Sequence, residues 1–190
     1  MRKLTVLLML FAFAISTYAQ TNSWKADPYH SSLNFKIKHN NISMINGKFM
    51  DYTGTLTNTG DALDNAQFDF TIQATSINTN VDARDNHLRS ADFFEVEKYP
   101  TITFKSTKIK KTDKANHYSL EGKMTIKGVT KDVVFDLEYG GHLKNDKEER
   151  IGLTAKTVID RFDYNIEFDP SGMGVGKDVH IVVYLEMTKK

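Results

Sequence analysis

Asp82, Arg84, Asp85, His87 and Arg89 stand within eight consecutive residues. These types can do chemistry. A carboxylate and an imidazole on one helix can act as general acid and base, and guanidinium groups beside them can hold an anionic oxygen. One reading is therefore an enzyme that works on a lipid or an amide with the acid–base residues of this segment. A second is a polar gate in which Arg84 or His87 faces an oxygen of a bound ligand. A third is a helix-surface salt-bridge network that also reaches Arg161. Spacing alone leaves the three open.

Other reactive residues support less. His30 and His39 lie nine apart, and His87, His117, His142 and His180 are scattered. No spacing resembles a metal-ligand set, so no metal is assigned. Ser31 follows His30 but lacks a G-x-S-x-G context and sits at a strand start. The chain has no cysteine, which removes disulfides, thiolate nucleophiles and Cys-ligated metals. No cofactor is called for.

The charged cluster has helical spacing over Val81 to Ala91, with Val81, Arg84, Leu88 and Ala91 on one stripe. Asn80 is the expected N-cap, and Asp85 with Arg89 an i,i+4 pair. Phe93 and Phe94 follow, and Tyr99-Pro100 then forces an extended backbone. A short charged helix followed by two adjacent aromatics points to something covered or guarded.

Period-two alternation dominates the rest. Leu33, Phe35 and Ile37 share one face of the first clear strand, and Phe68, Phe70 and Ile72 one face of another. Phe104, Met124, Phe135, Leu153 and Ile181 belong to later alternating runs. Gly47 to Thr57 reads as a strand with Gly54 a bulge or bend. Gly140-Gly141 reads as the opening of a polar hairpin loop through Arg150. The total is about eight strands, mostly antiparallel. They can stack as a sandwich with a dry core or close into a barrel, which removes edges and is wide enough for one slender ligand. Periodicity does not separate the two.

At the start, Arg2 and Lys3 precede an apolar run from Leu4 to Ile15 and a small-residue site at Thr17-Tyr18-Ala19. This is the pattern of a secretory signal peptide cleaved after Ala19. Residues 20–190 then form one domain, periplasmic or secreted, with no later integral membrane segment. Losing Arg2 and Lys3 takes 25 basic residues to 23 against 24 acidic ones, net charge −1. Bulk charge therefore attracts no nucleic acid. A rim or free edge leaves room for a homodimer, which no residue demands.

The order Asp27, His30-Ser31, Phe35, Gly47-Lys48-Phe49, Arg84-Asp85-Asn86-His87-Leu88-Arg89-Ser90, Asp92-Phe93-Phe94, Tyr99-Pro100, Lys127-Gly128-Val129-Thr130 and Arg161 resembles the YceI-like family of secreted bacterial proteins. The resemblance runs from about Trp24 to the C-terminus. It implies an all-β fold: an eight-stranded antiparallel lipocalin-like barrel with a short helix over it. It further implies non-enzymatic binding, transport or storage of a long isoprenoid lipid, polyprenyl or quinone-like, in an apolar tunnel. The ligand-contacting residues would be Phe35, Ile37, Phe68, Phe70, Ile72, Leu88, Phe93, Phe104, Met124 and Phe135, with Arg84 and His87 at the polar end. One position departs from the family's pattern. After Arg161-Phe162-Asp163-Tyr164 the family often has an aromatic followed by Gly, and here Asn165 stands in that place. Asn tolerates a left-handed backbone, so the turn is expected to survive.

Overall fold

A computed structural model describes residues 21–60, 63 and 65–190. The expected signal peptide lies outside them. Eleven strands follow in chain order: β1 (Thr21–Ala26), β2 (Ser32–His39), β3 (Ser43–Phe49), β4 (Tyr52–Thr59), β5 (Gln67–Gln73), β6 (Ile77–Asn78), β7 (Thr101–Lys111), β8 (His117–Ile126), β9 (Val129–Lys144), β10 (Glu149–Asp160) and β11 (Val175–Lys189). The helix α1 (Asp82–Arg89) lies between β6 and β7.

All pairings are antiparallel, in the order β1-β4-β5-β7-β8-β9-β10-β11, and β1 pairs back onto β11 to close the ring. The first three hairpin arms are each broken in two. β1 and β2 follow one another along β11, with Ala26 opposite Met187 and Ser32 opposite Tyr184. β3 and β4 likewise continue one another, as do β5 and β6, because β2 pairs β3 and β3 pairs β6. Eight strand positions therefore make the barrel wall. Closure leaves no long open edge.

Two local expectations change. The run from Gly47 to Thr57 is not one strand with a bulge at Gly54. It breaks at Met50-Asp51, and Gly54 sits in regular register opposite Phe70. Nor do Gly140 and Gly141 open a loop. They lie inside β9, where the pairing passes from Gly141–Gly152 to Tyr139–Leu153 and leaves Gly140 as a bulge. The hairpin turns later, where the Asn145 amide donates to the Glu148 carbonyl. A glycine pair relieves the crowding of a strongly twisted long ribbon as well as it makes a turn.

The interior has two parts. Towards the end formed by β1, β4 and the β9–β10 hairpin it is solid. Leu56 and Met187 are fully buried there beside Trp24, Leu63, Ile151 and Leu153. The Trp24 indole N–H donates to Asn58 Oδ1 at 2.9 Å, so the ring's polar handle is satisfied as it seals the base. Towards the other end, under α1, the barrel is hollow.

Candidate ligand-binding cavity

The hollow has a volume of about 190 Å³. That exceeds an engineered cavity of about 150 Å³ known to stay dry and bind benzene. Its lining runs from Leu120 to Ile126 along β8 and from Val179 to Leu185 along β11. Six residues of strand span about 20 Å, so the lining residues are spread along much of the barrel wall. Only Asn34, Arg161 and Tyr164 among the lining residues carry side-chain nitrogen or oxygen. The Asn34 amide is occupied within the wall, donating to Ser32 Oγ at 2.9 Å and to the Val182 carbonyl at 3.4 Å.

Phenylalanine and isoleucine make up most of the lining, and glycine determines where three of the rings lie. A Cβ on Gly47 would come 2.3 Å from the Phe35 ring, one on Gly54 2.1 Å from Phe70, and one on Gly122 2.4 Å from Phe104. Each ring thus fills the place of a missing side chain on the neighbouring strand. It rests on the wall instead of crossing the lumen. Edge-on and tilted ring contacts continue the lining: Phe104 to Phe135 at 5.2 Å, Phe35 to Phe49 at 5.9 Å, and Phe49 to Phe94 at 5.9 Å. The last of these carries the aromatic surface from the wall to the lid.

The lid is α1 with the segment after it. Leu88, Phe93 and Phe94 close over the cavity. The helix faces inward through Arg84, Asp85 and Leu88. Val81 is exposed, which differs from the stripe expected from spacing. Val81, not Asn80, is the N-cap; Asn80 instead takes a positive φ of 64°. Buried Asp85 turns back on the chain: its Oδ1 accepts from the Thr79 amide at 2.9 Å and from the Thr79 hydroxyl at 2.5 Å. Arg84 donates to the Thr79 hydroxyl and carbonyl. Arg89 donates to the Thr75 and Ile77 carbonyls and to Asn86. The expected Asp85–Arg89 pair does not form, because both side chains tie the lid to the β5–β6 corner. Arg84, Asp85 and Arg89 thus anchor the helix mainly to the Thr75–Thr79 segment. Lys127 clasps the far side, donating to the Ala91 carbonyl at 2.8 Å and the Asn165 carbonyl at 3.2 Å.

Of the twelve residues named from the sequence, ten line the cavity: Phe35, Ile37, Phe68, Phe70, Ile72, Leu88, Phe93, Phe104, Met124 and Phe135. Arg84 and His87 do not. Arg84 is occupied by Thr79. His87 lies at the outer rim, with Nε2 2.8 Å from Asp92 Oδ2 and its ring edge-on to Phe93 and Phe168. Sequence reasoning did not place Tyr164 or Arg161 in the lining, though Arg161 was named with the lid. The two belong to a 3-10 turn, Arg161–Tyr164, that ends on Asn165 in the left-handed region (φ 55°, ψ 34°). Asn165 thus sustains the turn expected there.

Arg161 is buried and donates to four carbonyls: Gly176 from Nε at 2.9 Å, Ile166 from Nη1 at 2.6 Å, and Asp169 and Val175 from Nη2 at 3.1 and 2.8 Å. Burial lowers its pKa, against the pull of Asp169 and Asp160. Asp169 in turn accepts from the Gly174 and Val175 amides. The loop before β11 is therefore organised around one guanidinium.

Among the described residues, one group has metal-ligand character: Asp27, His30 and Glu186. Arg150 Nη1 already contacts both carboxylates, lying 3.4 Å from Asp27 Oδ2 and closer to Glu186 Oε1. A fixed cation thus supplies the charge the carboxylates need. Ser31 beside them exchanges hydrogen bonds with the Glu186 backbone, which docks the β1–β2 break onto β11.

A closed eight-stranded antiparallel barrel, solid at one end and hollow under a helical lid at the other, defines a cavity-bearing β-barrel of lipocalin-like shape. The YceI-like domain matches residues 24–187, and the chain belongs to that family. A Staphylococcus aureus relative, UPF0312 protein SAB2563, is 36% identical over 159 residues, covering 80% of this chain and 90% of its own. The Campylobacter jejuni YCEI protein has a crystal structure with a TM-score of 0.74 and 35% identity, covering 82% of this chain and 91% of that one. A polyisoprenoid binding domain from Saccharophagus degradans, implicated in plant cell wall breakdown, shares the fold at a TM-score of 0.68 and 15% identity, over 88% of this chain and 98% of that one.

Proposed function

We propose that this protein binds the hydrocarbon chain of an isoprenoid lipid inside its barrel and carries or stores it without chemical change. The observation that carries this reading is the apolar, phenylalanine- and isoleucine-lined hollow beneath the lid. Each buried CH₂ is worth about 0.8 kcal/mol, so one five-carbon isoprene unit contributes about 4 kcal/mol before ordering costs. The description of the S. degradans neighbour as a polyisoprenoid binding domain supports the same class of ligand. The signal-like N-terminus supports action outside the cytoplasm, in the periplasm or beyond. No helix among the described residues is long and apolar enough to cross a membrane. An acid–base role for the α1 cluster has less behind it, since Asp85 and Arg84 are spent on Thr79.

Native mass spectrometry of protein from its own host, followed by solvent extraction, tests the proposal. The expected result is a retained prenyl lipid, or uptake of added prenyl alcohols by emptied protein. Protein that is repeatedly recovered empty and ignores added prenyl chains would sink it.

A further inference from the structure

Two adjoining loops at the lid end carry bare apolar side chains. β2 and β3 join through Asn40 and Asn41, both at positive φ (49° and 57°), and the Ile42 amide donates to the His39 carbonyl at 3.1 Å. Two consecutive left-handed residues make this kind of tight turn. His39 pairs with Ser43, so Ile42 lies outside the ladder, and it is 87% exposed. Met44 follows, also exposed, and Met173 in the loop before β11 is 64% exposed. The loops are joined: the Asn40 amide donates to the Gly174 carbonyl at 2.8 Å, and the Asn41 side-chain amide meets Met173 Sδ at 3.5 Å. Single exposed apolar residues are ordinary, but three gathered on adjoining loop tips make a patch.

The patch stands over the cavity wall. β11 runs from the base, where Lys189 pairs with Trp24, up to Val175, which pairs with His39 just before the turn. Ile37 and Val175 both line the cavity. On the other face of the β2–β3 ribbon stand Lys36, Lys38 and Lys48. Lys38 lies opposite Met44, Lys36 opposite Asn46 and Lys48 opposite Asn34, while the alternating Phe35 and Ile37 face the hollow. All three lysines are exposed. The ion pairs of lysine among the described residues belong to Lys98, Lys105, Lys123, Lys144, Lys177 and Lys189, and none to these three.

The make-up of the patch decides what it meets. Protein–protein interfaces are depleted in lysine. An anionic bilayer attracts unpaired lysines to its surface while apolar side chains sink among its head groups. Three unpaired lysines beside bare Ile42, Met44 and Met173 therefore complement an anionic lipid surface. The other side of the mouth does not. There Phe168 rests on Phe93 and His87, close in the chain to exposed Asp163 and Glu167, and such a surface repels carboxylates.

We propose that the β2–β3 turn, with Met173 and the three lysines, docks the mouth of the barrel on an anionic lipid bilayer. That the docked mouth passes a chain between bilayer and lumen rests on the lipid-binding reading above. The docking itself needs no cargo.

Flotation with vesicles tests it. One set holds equal parts of phosphatidylcholine and phosphatidylglycerol, the other phosphatidylcholine alone. The natural protein is compared with an apolar variant, Ile42→Ser with Met173→Gln, and a charge variant, Lys36→Gln with Lys38→Gln and Lys48→Gln. Each lysine near an anionic surface strengthens binding about fivefold, so the natural protein should prefer the mixed vesicles by about tenfold or more and the charge variant should lose most of that preference. The apolar variant should bind the mixed vesicles about tenfold more weakly. Both variants should keep the natural melting temperature and the natural uptake of dispersed geraniol, because the changed side chains are exposed and outside the cavity. Added salt should weaken the natural protein's binding, a readout that needs no variant. Binding indifferent to salt would overturn the charge argument. If the natural protein ignores the mixed vesicles, the docking surface is refuted, and geraniol uptake judges the carrier reading separately. If it binds and both variants bind equally well, another face makes the contact and the assignment is wrong. A dimer that Ile42→Ser takes apart, with no vesicle binding, would make the patch an interface between copies and refute the proposal too.

Discussion

At the scale of single residues, openness depends on what is missing. Three inward phenylalanines find room because Gly47, Gly54 and Gly122 present no side chain to them. Gly54 is the most severe case, since three atoms of the Phe70 ring would lie within 2.6 Å of an added Cβ. The backbone there is ordinary strand, so the constraint is purely one of space. In Gly54→Ala the ring must swing off the wall, and the hollow that Phe70 lines is free volume beside it. Overpacking of this kind typically costs about 1–3 kcal/mol. Part of that is offset as the ring fills empty space. Binding should therefore suffer more than stability: urea denaturation should show a loss within that range, while uptake of a prenyl chain falls by an order of magnitude or more. Equal losses in both would argue against wall-resting rings as the device that keeps the lumen open. The inward phenylalanines were legible from period-two alternation. Their glycine partners were not, because the pairing of Phe35 with Gly47 and of Gly54 with Phe70 depends on strand register.

Among the elements, the long strands and the lid helix could be read from the chain, and their breaks could not. Alternation located β2, β5, β7, β8, β9, β10 and β11 because each has one face on the interior and one on solvent. The interruption at Asp27–Ser31 carries no periodic signal. It is held instead by contacts distant in sequence. Ser31 docks on the Glu186 backbone, and Arg150 gathers Asp27, Glu148 and Glu186. Arg161 was visible as a basic residue near a turn, but its four carbonyl partners depend on how the loop before β11 folds back. The Asp27–His30 contact at 2.8 Å gives this seam a pH signature. The Asp27 carboxylate raises the His30 pKa above its ordinary 6.5, first through the hydrogen bond and then through charge. The same hydrogen bond lowers Asp27 below 3.8. A raised histidine stabilises fully below about pH 6.5, and the benefit fades as pH rises through the folded value. A lowered aspartate stabilises above about pH 4, and the benefit fades as pH falls through its folded value. The seam is thus tightest between those limits. Melting temperatures should fall modestly between pH 6.5 and 8, and His30→Gln should flatten that decline. Added salt should shrink the difference, since His30 is largely exposed. An identical slope in the variant would remove His30 from the account.

For the whole molecule, the balance between plug, hollow and lid sets how much chain can be enclosed. The sequence left a dry core and an open tunnel as alternatives, and the barrel contains both. Trp24, Leu56 and Met187 close the base, and the hollow begins above them. At about 190 Å³ the closed form accommodates little more than a benzene-sized cavity does, which amounts to one or two isoprene units. A longer chain must leave through the lid end, where Leu88, Phe93 and Phe94 cover the lining and the anchors are hydrogen bonds to carbonyls. Such anchors can release without breaking the barrel, because α1 contributes no strand to it. Affinity should therefore climb steeply from five to ten carbons, at a slope bounded by about 0.8 kcal/mol per CH₂, and then more slowly as each added unit must displace the lid. Hydrogen exchange separates the two regimes. A ten-carbon prenyl alcohol should increase protection of the Asp82–Arg89 amides, by filling the space beneath them. A twenty-carbon chain should decrease it while protection of β8 and β11 still rises. Equal protection of α1 by both chains would mean that the walls, not the lid, yield to length.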